Sequence, residues 1–552
     1  MRQRGVRRSK ADYALKDRPG AAAIYGPVHK RLSWSLSLLL TSAALGAVPA
    51  GAQSSARAMA APAATATPAA RPSPEARAEA DTPDAVTQHS LALDGRTLAY
   101  TARAGTLTLR DEQERPTARV FYTAFTVEGD PLRPVTFIYN GGPGSSTMWL
   151  RMGSFGPVRV VAADGTAQGP PPFRIADNPY SLLDKSDLVF IDMPGSGFGR
   201  LLEAGKPKDF FGIDQDANAF AQFVTRYLTR FNKWNAPKFL FGESYGTTRS
   251  AALSAVLQRQ GVQLNGIVLL SSILNFGLDY GNGGPIGGGD WPYVFNLPTE
   301  AATAWYHDKV VNKPADLPAF LRDVEHWAMN DYVDALAQGD RLAPERKAAT
   351  VRRLAYYLGL SEEYVRESNL RVPYDRFTAE LLRSEGKVVG RLDSRYETYT
   401  IDGAAASPRW DPTDATIDAP YTTAINQYLR VDLKYDTPLS YRTNVYGLIY
   451  ADGGSWDMRS NRYGYANVAP DLAATLAQNP ALKIFSANGY YDFATPYFAT
   501  VYTLKHLNVP PELQKNISFG FYPAGHMVYL SEPALAQFKR DLAGWYDAAQ
   551  GR

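Results

Sequence analysis

Ser244 lies in a segment whose residue types suit nucleophilic catalysis. It follows the apolar run Phe239-Leu240-Phe241 and is flanked by Gly242 and Gly246, which gives the pattern Gly-x-Ser-x-Gly. In that pattern the serine sits on a sharp turn between a strand and a helix, and bulky neighbours would clash with the turn. Because the apolar run predicts a buried strand directly before it, the sequence favours a nucleophile over a structural Gly-Ser turn.

A serine nucleophile needs a general base and an acid that orients the base. In the fold that carries this serine turn, the acid and then the histidine follow the serine along the chain. Two histidines remain in the C-terminal part: His506 falls in a predicted helix, and His526 follows a glycine in a loop after a predicted strand. Asp492 is the only carboxylate in the loop after the preceding predicted strand. We therefore predict a triad of Ser244, Asp492 and His526, with a loop cap as the alternative role of Asp492.

Acyl transfer also needs two backbone N–H groups that stabilise the oxyanion. The residue after the nucleophile, Tyr245, supplies one of them, and an early loop supplies the other. The run Asn140-Gly141-Gly142-Pro143-Gly144 directly follows a predicted central strand, and its glycines let the backbone approach a substrate oxygen closely. This placement favours a functional loop over a plain turn.

The elements around these residues predict an α/β fold of the α/β-hydrolase type, with a central mostly parallel sheet and flanking helices. Alternating polarity predicts antiparallel strands at 90–93, 97–110 and 119–127. Continuous apolar runs predict buried parallel strands at 135–139, 188–191, 239–241, 267–270 and 482–485. Apolar residues at helical spacing predict helices at 220–231 and 535–545.

The catalytic domain is predicted to span residues 86–552 and to be interrupted by residues 276–446. That segment contains helical stretches such as 316–337 and 344–358, with Asp316 and Pro344 suited to helix starts. We interpret it as a mainly helical cap over the active site. Its glycine-rich run 281–289 lacks the Lys-Ser/Thr of a phosphate loop and is interpreted as a hinge.

The N-terminal part is predicted to be a targeting region. Residues 1–52 are interpreted as a leader and signal peptide, because the apolar stretch 32–48 precedes small residues suited to cleavage before Gln53. The alternative is an uncleaved membrane anchor. Residues 53–85 are rich in Ala and Pro and are interpreted as a linker. We expect an exported protein, periplasmic or secreted, with no stable membrane insertion after signal cleavage.

Composition removes several classes of function. The 552 residues include no cysteine, which excludes disulfides, thiolate catalysis and cysteine-ligated metals. Six scattered histidines form no metal motif, and a net charge of +3 without a basic stripe does not favour a nucleic-acid partner. We expect no metal and no cofactor. The preferred side chains, the physiological substrate and the oligomeric state do not follow from the sequence.

Five segments, taken together and in order, resemble the successive motifs of the serine carboxypeptidases. They are Asn140-Gly141-Gly142-Pro143-Gly144-Ser145-Ser146, Asn178-Pro179-Tyr180-Ser181, Asp192-Met193-Pro194-Gly195-Ser196-Gly197-Phe198, Gly242-Glu243-Ser244-Tyr245-Gly246 and Gly525-His526-Met527. The resemblance covers about residues 88–548 and is to a bacterial-type, exported member without cysteines. It implies hydrolysis of C-terminal residues from peptides through an acyl-enzyme, without a metal.

The resemblance also implies roles for individual residues. Gly142 and Tyr245 are the implied oxyanion donors. Asn140 and Glu243 are implied to bind the terminal carboxylate of the substrate, with Glu243 protonated. One position departs from the family, since Ser154 stands where a second glutamate for carboxylate recognition is expected. Three alternatives stay open: an α/β-hydrolase aminopeptidase, an esterase or acyltransferase on the same scaffold, and a non-catalytic binding protein.

Overall fold

The computed structural model describes residues 83–278, 289–460 and 465–550. The predicted leader and signal peptide, most of the predicted linker and residues 281–288 of the predicted hinge lie outside the described residues.

A ten-stranded sheet forms the centre of the described part. Its strands are β1 (Ala85–Leu93), β2 (Arg96–Arg110), β3 (Pro116–Thr126), β4 (Val135–Tyr139), β7 (Asp187–Ile191), β8 (Arg200–Leu201), β9 (Lys238–Glu243), β10 (Gly266–Leu270), β13 (Lys483–Gly489) and β14 (Ile517–Tyr522). Two small antiparallel pairs lie outside it: β5 (Val158–Val160) with β6 (Ile175–Asp177), and β11 (Lys387–Val389) with β12 (Glu397–Tyr399).

The strand order in the sheet is β1-β2-β3-β7-β4-β9-β10-β13-β14, and β8 pairs with β3. The first three strands and the β3–β7 pair are antiparallel. From β7 to β14 every pairing is parallel. The strands β4, β7, β9 and β10 are buried along their whole length, as expected of parallel strands covered on both faces. The predicted arrangement of antiparallel front strands and a parallel core is confirmed.

Helices cover both faces of the sheet. The helices are α1 (Met148–Gly153), α2 (Ile213–Arg230), α3 (Tyr245–Arg259), α4 (Trp291–Tyr306), α5 (Leu317–Trp327), α6 (Val333–Gln338), α7 (Pro344–Leu358), α8 (Glu362–Glu367), α9 (Tyr374–Glu380), α10 (Pro412–Gln427), α11 (Tyr446–Ile449), α12 (Ala469–Gln478), α13 (Tyr497–Lys505), α14 (Pro511–Gln514) and α15 (Glu532–Ala549). α2, α3 and α12 pack on one face, and α1, α10 and α15 pack on the other. Along these described ranges, no helix is both long enough and apolar enough to cross a bilayer.

The segment between β10 and β13 is mainly helical, and a third hydrophobic cluster joins its helices α4, α5, α7 and α9. That cluster includes Tyr491 and Phe493, which flank Asp492. The predicted helix starts are confirmed: Asp316 Oδ1 accepts from Ala319 N, and Pro344 begins α7. The predicted helical stretch 316–337 is confirmed, with α5, a π-helical turn at Ala328–Tyr332 and α6 following one another without a break.

Candidate active site

The carboxyl ends of the parallel strands meet at one edge of the sheet, where open α/β sheets bind their ligands. The loop of Asn140 follows β4, Ser244 follows β9, Asp492 lies three residues after β13, and His526 lies four residues after β14. Pairing register holds these ends at one level, since Tyr139 pairs with Gly242, Glu243 with Leu270, and Leu270 with Ala487. The topology therefore places all the predicted catalytic side chains at one edge.

Ser244 sits on a strained turn between β9 and α3. Its φ of 60° and ψ of −131° lie in a region that L-residues rarely adopt. Its N–H donates to Leu270 O (3.0 Å), and its carbonyl accepts from Thr247 N (2.8 Å). A Cβ atom on Gly242 would lie 2.1 Å from Gly246 O, so this close approach requires glycine. The turn is partly exposed at Ser244 and buried around it, as a nucleophile requires.

Asp492 and His526 form a buried pair. His526 Nδ1 lies 2.8 Å from Asp492 Oδ2. His526 is 3% exposed to solvent and Asp492 is 0% exposed. Asp492 Oδ1 accepts from Ala494 N (2.8 Å) and Thr495 N (3.0 Å), and the Thr495 hydroxyl donates to Oδ2 (2.6 Å). The aspartate is thus fixed from three sides, and the imidazole keeps Nε2 for proton transfer.

The pairing changes the pKa of both groups. Burial alone would lower the pKa of His526, but the charge and hydrogen bond of Asp492 outweigh burial and raise it. Burial alone would raise the pKa of Asp492, but His526, Thr495 and the backbone N–H donors lower it. The arrangement therefore favours an ionised aspartate that stabilises a protonated imidazole, which is what a general base needs from its partner.

Ser244 and His526 are both tied to residues 270–271. Ser244 N donates to Leu270 O, and the hydroxyl of Ser271 donates to His526 O (2.6 Å). The described residues include no hydrogen bond between the Ser244 hydroxyl and the imidazole. Such contacts are often long before substrate binds and shorten in the complex.

The loop after β4 lies directly on the turn that carries Ser244. A Cβ atom on Gly141 would lie 2.5 Å from Tyr245 N, and Gly142 has a φ of 109°, which favours glycine. The Arg249 side chain holds the loop from below, because its Nη1 donates to Asn140 O (2.7 Å). The backbone of Gly142 and that of Tyr245 therefore belong to adjoining segments.

Sequence reasoning missed the buried ion pair that supports this loop. Arg249 Nε donates to Asp216 Oδ2 at 2.7 Å, and both side chains are fully buried. The guanidinium also lies over the Phe220 ring, 4.2 Å from its centroid. Asp216 falls in the first turn of α2 and Arg249 in α3, so only the packing of the two helices brings them together. No local sequence signal marks them.

Asn140 and Glu243 lie side by side. Asn140 Nδ2 donates to Glu243 Oε1 (2.9 Å), and Asn140 Oδ1 accepts from Leu150 N (3.0 Å). Glu243 Oε2 is buried and makes no hydrogen bond of good geometry among the described residues, although the hydroxyl of the neighbouring Tyr529 interacts with the carboxyl group. Burial raises the pKa of Glu243 to about 7, against the opposing effects of His526, Tyr529 and Asn140. Glu243 is therefore largely protonated in mildly acidic solution.

Ser154 takes no part in this arrangement. Its hydroxyl donates to Leu150 O (2.6 Å) inside the last turn of α1, and the residue is buried. A Cβ atom on the preceding Gly153 would lie 2.4 Å from the Tyr421 hydroxyl and 2.6 Å from Tyr529 Cδ2. Two tyrosines thus pack beside the position where the resemblance leads us to expect a second glutamate.

His506, the rejected candidate, lies at the exposed C-terminus of α13 and contacts Tyr502. Among the described residues, no three His, Asp or Glu side chains come close enough to hold a metal ion.

Comparison with known proteins confirms the resemblance to the serine carboxypeptidases. The model of the peptidase S10 family, described as serine carboxypeptidase, matches residues 96–282. Carboxypeptidase Y homolog A from Pyrenophora tritici-repentis (strain Pt-1C-BFP) is 27% identical over 195 residues, which are 34% of this chain and 33% of that protein. The pheromone-processing carboxypeptidase KEX1 from Saccharomyces cerevisiae (strain JAY291) is 33% identical over 156 residues, 26% of this chain and 20% of that protein. The match therefore spans no more than 33% of the length of these relatives.

A solved structure shows the same fold. The crystal structure of KEX1(delta)p, a prohormone-processing carboxypeptidase from Saccharomyces cerevisiae, aligns with a TM-score of 0.50 and 16% identity. The alignment covers 82% of this chain and 91% of that chain. The predicted α/β-hydrolase fold is confirmed.

Proposed function

We propose that this chain is a serine carboxypeptidase that removes C-terminal residues from peptides through an acyl-enzyme intermediate. The observation that carries the proposal is the Asp492–His526 pair, with 2.8 Å between Oδ2 and Nδ1, at the same sheet edge as the strained turn of Ser244. The similarity to serine carboxypeptidases supports the choice of peptide substrates.

In this mechanism Ser244 Oγ attacks the carbonyl of the scissile peptide bond while His526 Nε2 accepts its proton. His526 then gives that proton to the leaving amine, and Asp492 stabilises the imidazolium in between. A water molecule repeats the sequence on the acyl-enzyme. The N–H groups of Gly142 and Tyr245 are the proposed donors to the oxyanion, which is supported by the contact between their two segments.

We further propose that Asn140 and Glu243 bind the terminal carboxylate of the substrate. Asn140 offers an amide donor, and a protonated Glu243 offers an O–H donor, whereas an ionised Glu243 would repel the carboxylate. The raised pKa of Glu243, about 7 through burial, supports the protonated form.

The region from 276 to 446 is proposed to be a cap inserted into the catalytic domain of residues 86–552. Residues 1–52 are proposed to be a leader and signal peptide and 53–85 a linker, so that the mature protein is exported. N-terminal sequencing of the mature protein tests this: a start near Gln53 supports cleavage, and retention of residues 32–48 contradicts it.

A pair of substrates separates the proposed function from its rivals. An N-terminally blocked dipeptide with a free C-terminus should be cleaved, with the products identified by mass. A dipeptide with a free N-terminus and a C-terminal amide should be cleaved poorly. The reverse preference would favour an aminopeptidase, and cleavage of esters alone would favour an esterase. Ser244→Ala is the control for contaminating peptidases, and labelling by a fluorophosphonate reports whether the nucleophile is active.

A further inference from the structure

The two proposed oxyanion donors belong to segments that are far apart in the chain. Gly142 N lies in the loop after β4, and Tyr245 N is the first N–H of α3. Neither N–H donates a hydrogen bond to any residue that the structure describes, so both remain available to a substrate oxygen. Donors of this kind work only when they are held to within about 0.5 Å of the productive geometry. The contacts that join the two segments therefore matter to the reaction.

The Arg249 side chain contacts both segments. It lies one helical turn after Tyr245, and the guanidinium carbon is 5.5 Å from the centre of the Tyr245 ring. Its Nη1 donates to Asn140 O at 2.7 Å, just after the end of β4. One side chain thus links the start of α3 to the start of the glycine-rich loop.

The peptide group that carries the Gly142 N–H is fixed by hydrogen bonds. Gly141 O accepts from Ser145 N (3.1 Å). Because a trans peptide is planar, the direction of Gly141 O also sets the direction of the Gly142 N–H. The carbonyl one residue earlier, Asn140 O, is the acceptor of Arg249. The two peptide groups before Gly142 are therefore held, one by the loop itself and one by Arg249.

Asp216 fixes the guanidinium in turn. Its Oδ2 accepts from Arg249 Nε at 2.7 Å, and both side chains are 0% exposed. Phe220, one turn further along α2, lies against the guanidinium. The carboxylate offsets the charge of the guanidinium, so the pair brings no net charge beneath the site. A buried ion pair seldom stabilises a fold more than apolar residues of the same size do, so stability alone does not account for this pair.

We propose that the Asp216–Arg249 pair positions the two oxyanion donors relative to each other, and that this positioning serves the transition state and not the binding of substrate. The inference rests on the proposed acyl transfer at Ser244. The oxyanion forms only when the carbonyl carbon becomes tetrahedral, so displaced donors weaken the transition state more than the complex with substrate. Asp216 and Arg249 are positioning residues, because both are fully buried and act through the backbone that they hold.

The test uses a variant that removes both charges together. Asp216→Leu/Arg249→Met leaves no unpaired buried charge, which favours a folded protein. Its kcat on a blocked dipeptide should fall by roughly 10- to 100-fold, less than the ~10²- to 10³-fold expected for complete loss of one donor. Its KM should change by less than about threefold. Arg249→Lys keeps one charged donor and should lose less activity than the double variant.

Two further measurements separate positioning from general damage to the site. The affinity for an N-blocked peptide boronic acid, which forms a tetrahedral adduct with Ser244, should fall by the same factor as kcat/KM. Inhibition by the free amino acid that the reaction releases should change by less than about threefold, because this product does not occupy the oxyanion position. The pH at which His526 titrates in the profile of kcat/KM should stay at its wild-type value.

Arg133→Met is the matched control. Arg133 Nε pairs with the buried Asp187 (2.9 Å) at the start of β7, and this end of the parallel strands lies opposite the site. The variant should lower the Tm and leave kcat and the boronic acid affinity unchanged. It therefore shows whether loss of a buried ion pair is by itself enough to lower kcat.

Each outcome has a separate meaning. A wild-type protein that a fluorophosphonate does not label, and that cleaves neither the dipeptide nor its ester, contradicts the proposed function itself. An active wild type with a folded double variant that keeps its kcat and its boronic acid affinity within about threefold contradicts the positioning role alone. An equal loss of affinity for the boronic acid and for the released amino acid, or a shifted titration of His526, also contradicts it, since either result indicates damage to the whole site. If the double variant does not fold, Arg249→Lys decides by the same measurements.

Discussion

Replacement of Glu243 by Gln should make the protein more stable in neutral and alkaline solution. Glu243 is 2% exposed, and one carboxylate oxygen accepts from Asn140 while the other makes no hydrogen bond of good geometry among the described residues. Its pKa in the folded state is about 7, against an ordinary value of 4.5. Gln keeps the shape and the acceptor for Asn140 but has no proton to lose.

The sign follows from proton linkage. Between pH 4.5 and about 7 the folded protein holds the Glu243 proton more tightly than the unfolded chain does, so the free energy of unfolding falls as pH rises. The two pKa values differ by about 2.5, and at about 1.4 kcal/mol for each pH unit the full loss is ~3 kcal/mol. About 2 to 3 kcal/mol of it should develop between roughly pH 5 and pH 8. The Gln variant lacks this loss.

Urea unfolding of both proteins at roughly pH 5 and pH 8 measures the effect. The stability of Glu243→Gln minus that of wild type should increase between the two pH values. Glu532→Gln is the control, because hydrogen bonds from Arg159 and Tyr180 lower the pKa of Glu532, so its removal gives no gain at high pH. A difference between Glu243→Gln and wild type that is the same at both pH values would refute a buried, protonated Glu243.

Ser244→Ala, Asp492→Ala and His526→Ala should each lower kcat by roughly 10⁴-fold or more and leave the circular dichroism spectrum unchanged. Near-native activity of Asp492→Ala would contradict its role as the acid. The pH optimum of kcat/KM should be lower for a blocked dipeptide with a free C-terminal carboxylate than for its ester, because hydrolysis of the free acid needs a protonated Glu243 as well as a neutral His526. Superimposable pH profiles for the two substrates would contradict this role of Glu243. Gly242→Ala should inactivate and destabilise the protein, because the new Cβ atom would lie 2.1 Å from a backbone oxygen. Gly544→Ala in α15 is the control: its Cβ atom meets nothing within 4 Å, and it should stabilise the protein by ~1 kcal/mol. Thermal unfolding of both variants measures the two effects.

Much of the sheet could be predicted from the sequence, because its signals are local. The runs 188–191, 239–241 and 267–270 are apolar without interruption, 135–139 is apolar except for Thr136, and each lies inside a fully buried strand. Strand ends in a parallel sheet converge at one edge, so the residues that follow these runs could be predicted to lie near one another. The position of the Asp492–His526 pair follows from this rule and the chain order.

The contacts between distant segments could not be predicted in this way. Leu392 and Asp393 reach the loop of His526 from more than 130 positions earlier, the first through its backbone carbonyl and the second through its buried carboxylate, and no local sequence signal marks either contact. The π-helical turn after Trp327 could not be predicted either, because the apolar spacing around it fits an ordinary α-helix. At position 154 the departure from the expected glutamate is visible in the sequence, but its result is not: the Ser154 hydroxyl donates to Leu150 O.

The site has two halves: the residues that directly follow the sheet strands, and the loop of residues 391–393, which belongs to the segment between β10 and β13. Ser244, Asp492 and His526 follow strand ends whose geometry is fixed by the sheet, and the loops of Asp492 and His526 are in addition held by hydrogen bonds to residues 391–393. The hydrogen bonds from His526 N to Leu392 O and from Gly525 N to Asp393 Oδ2 join the two halves. A change in the segment between β10 and β13 is therefore compatible with an intact Asp492–His526 pair only where the 391–393 loop keeps these two contacts.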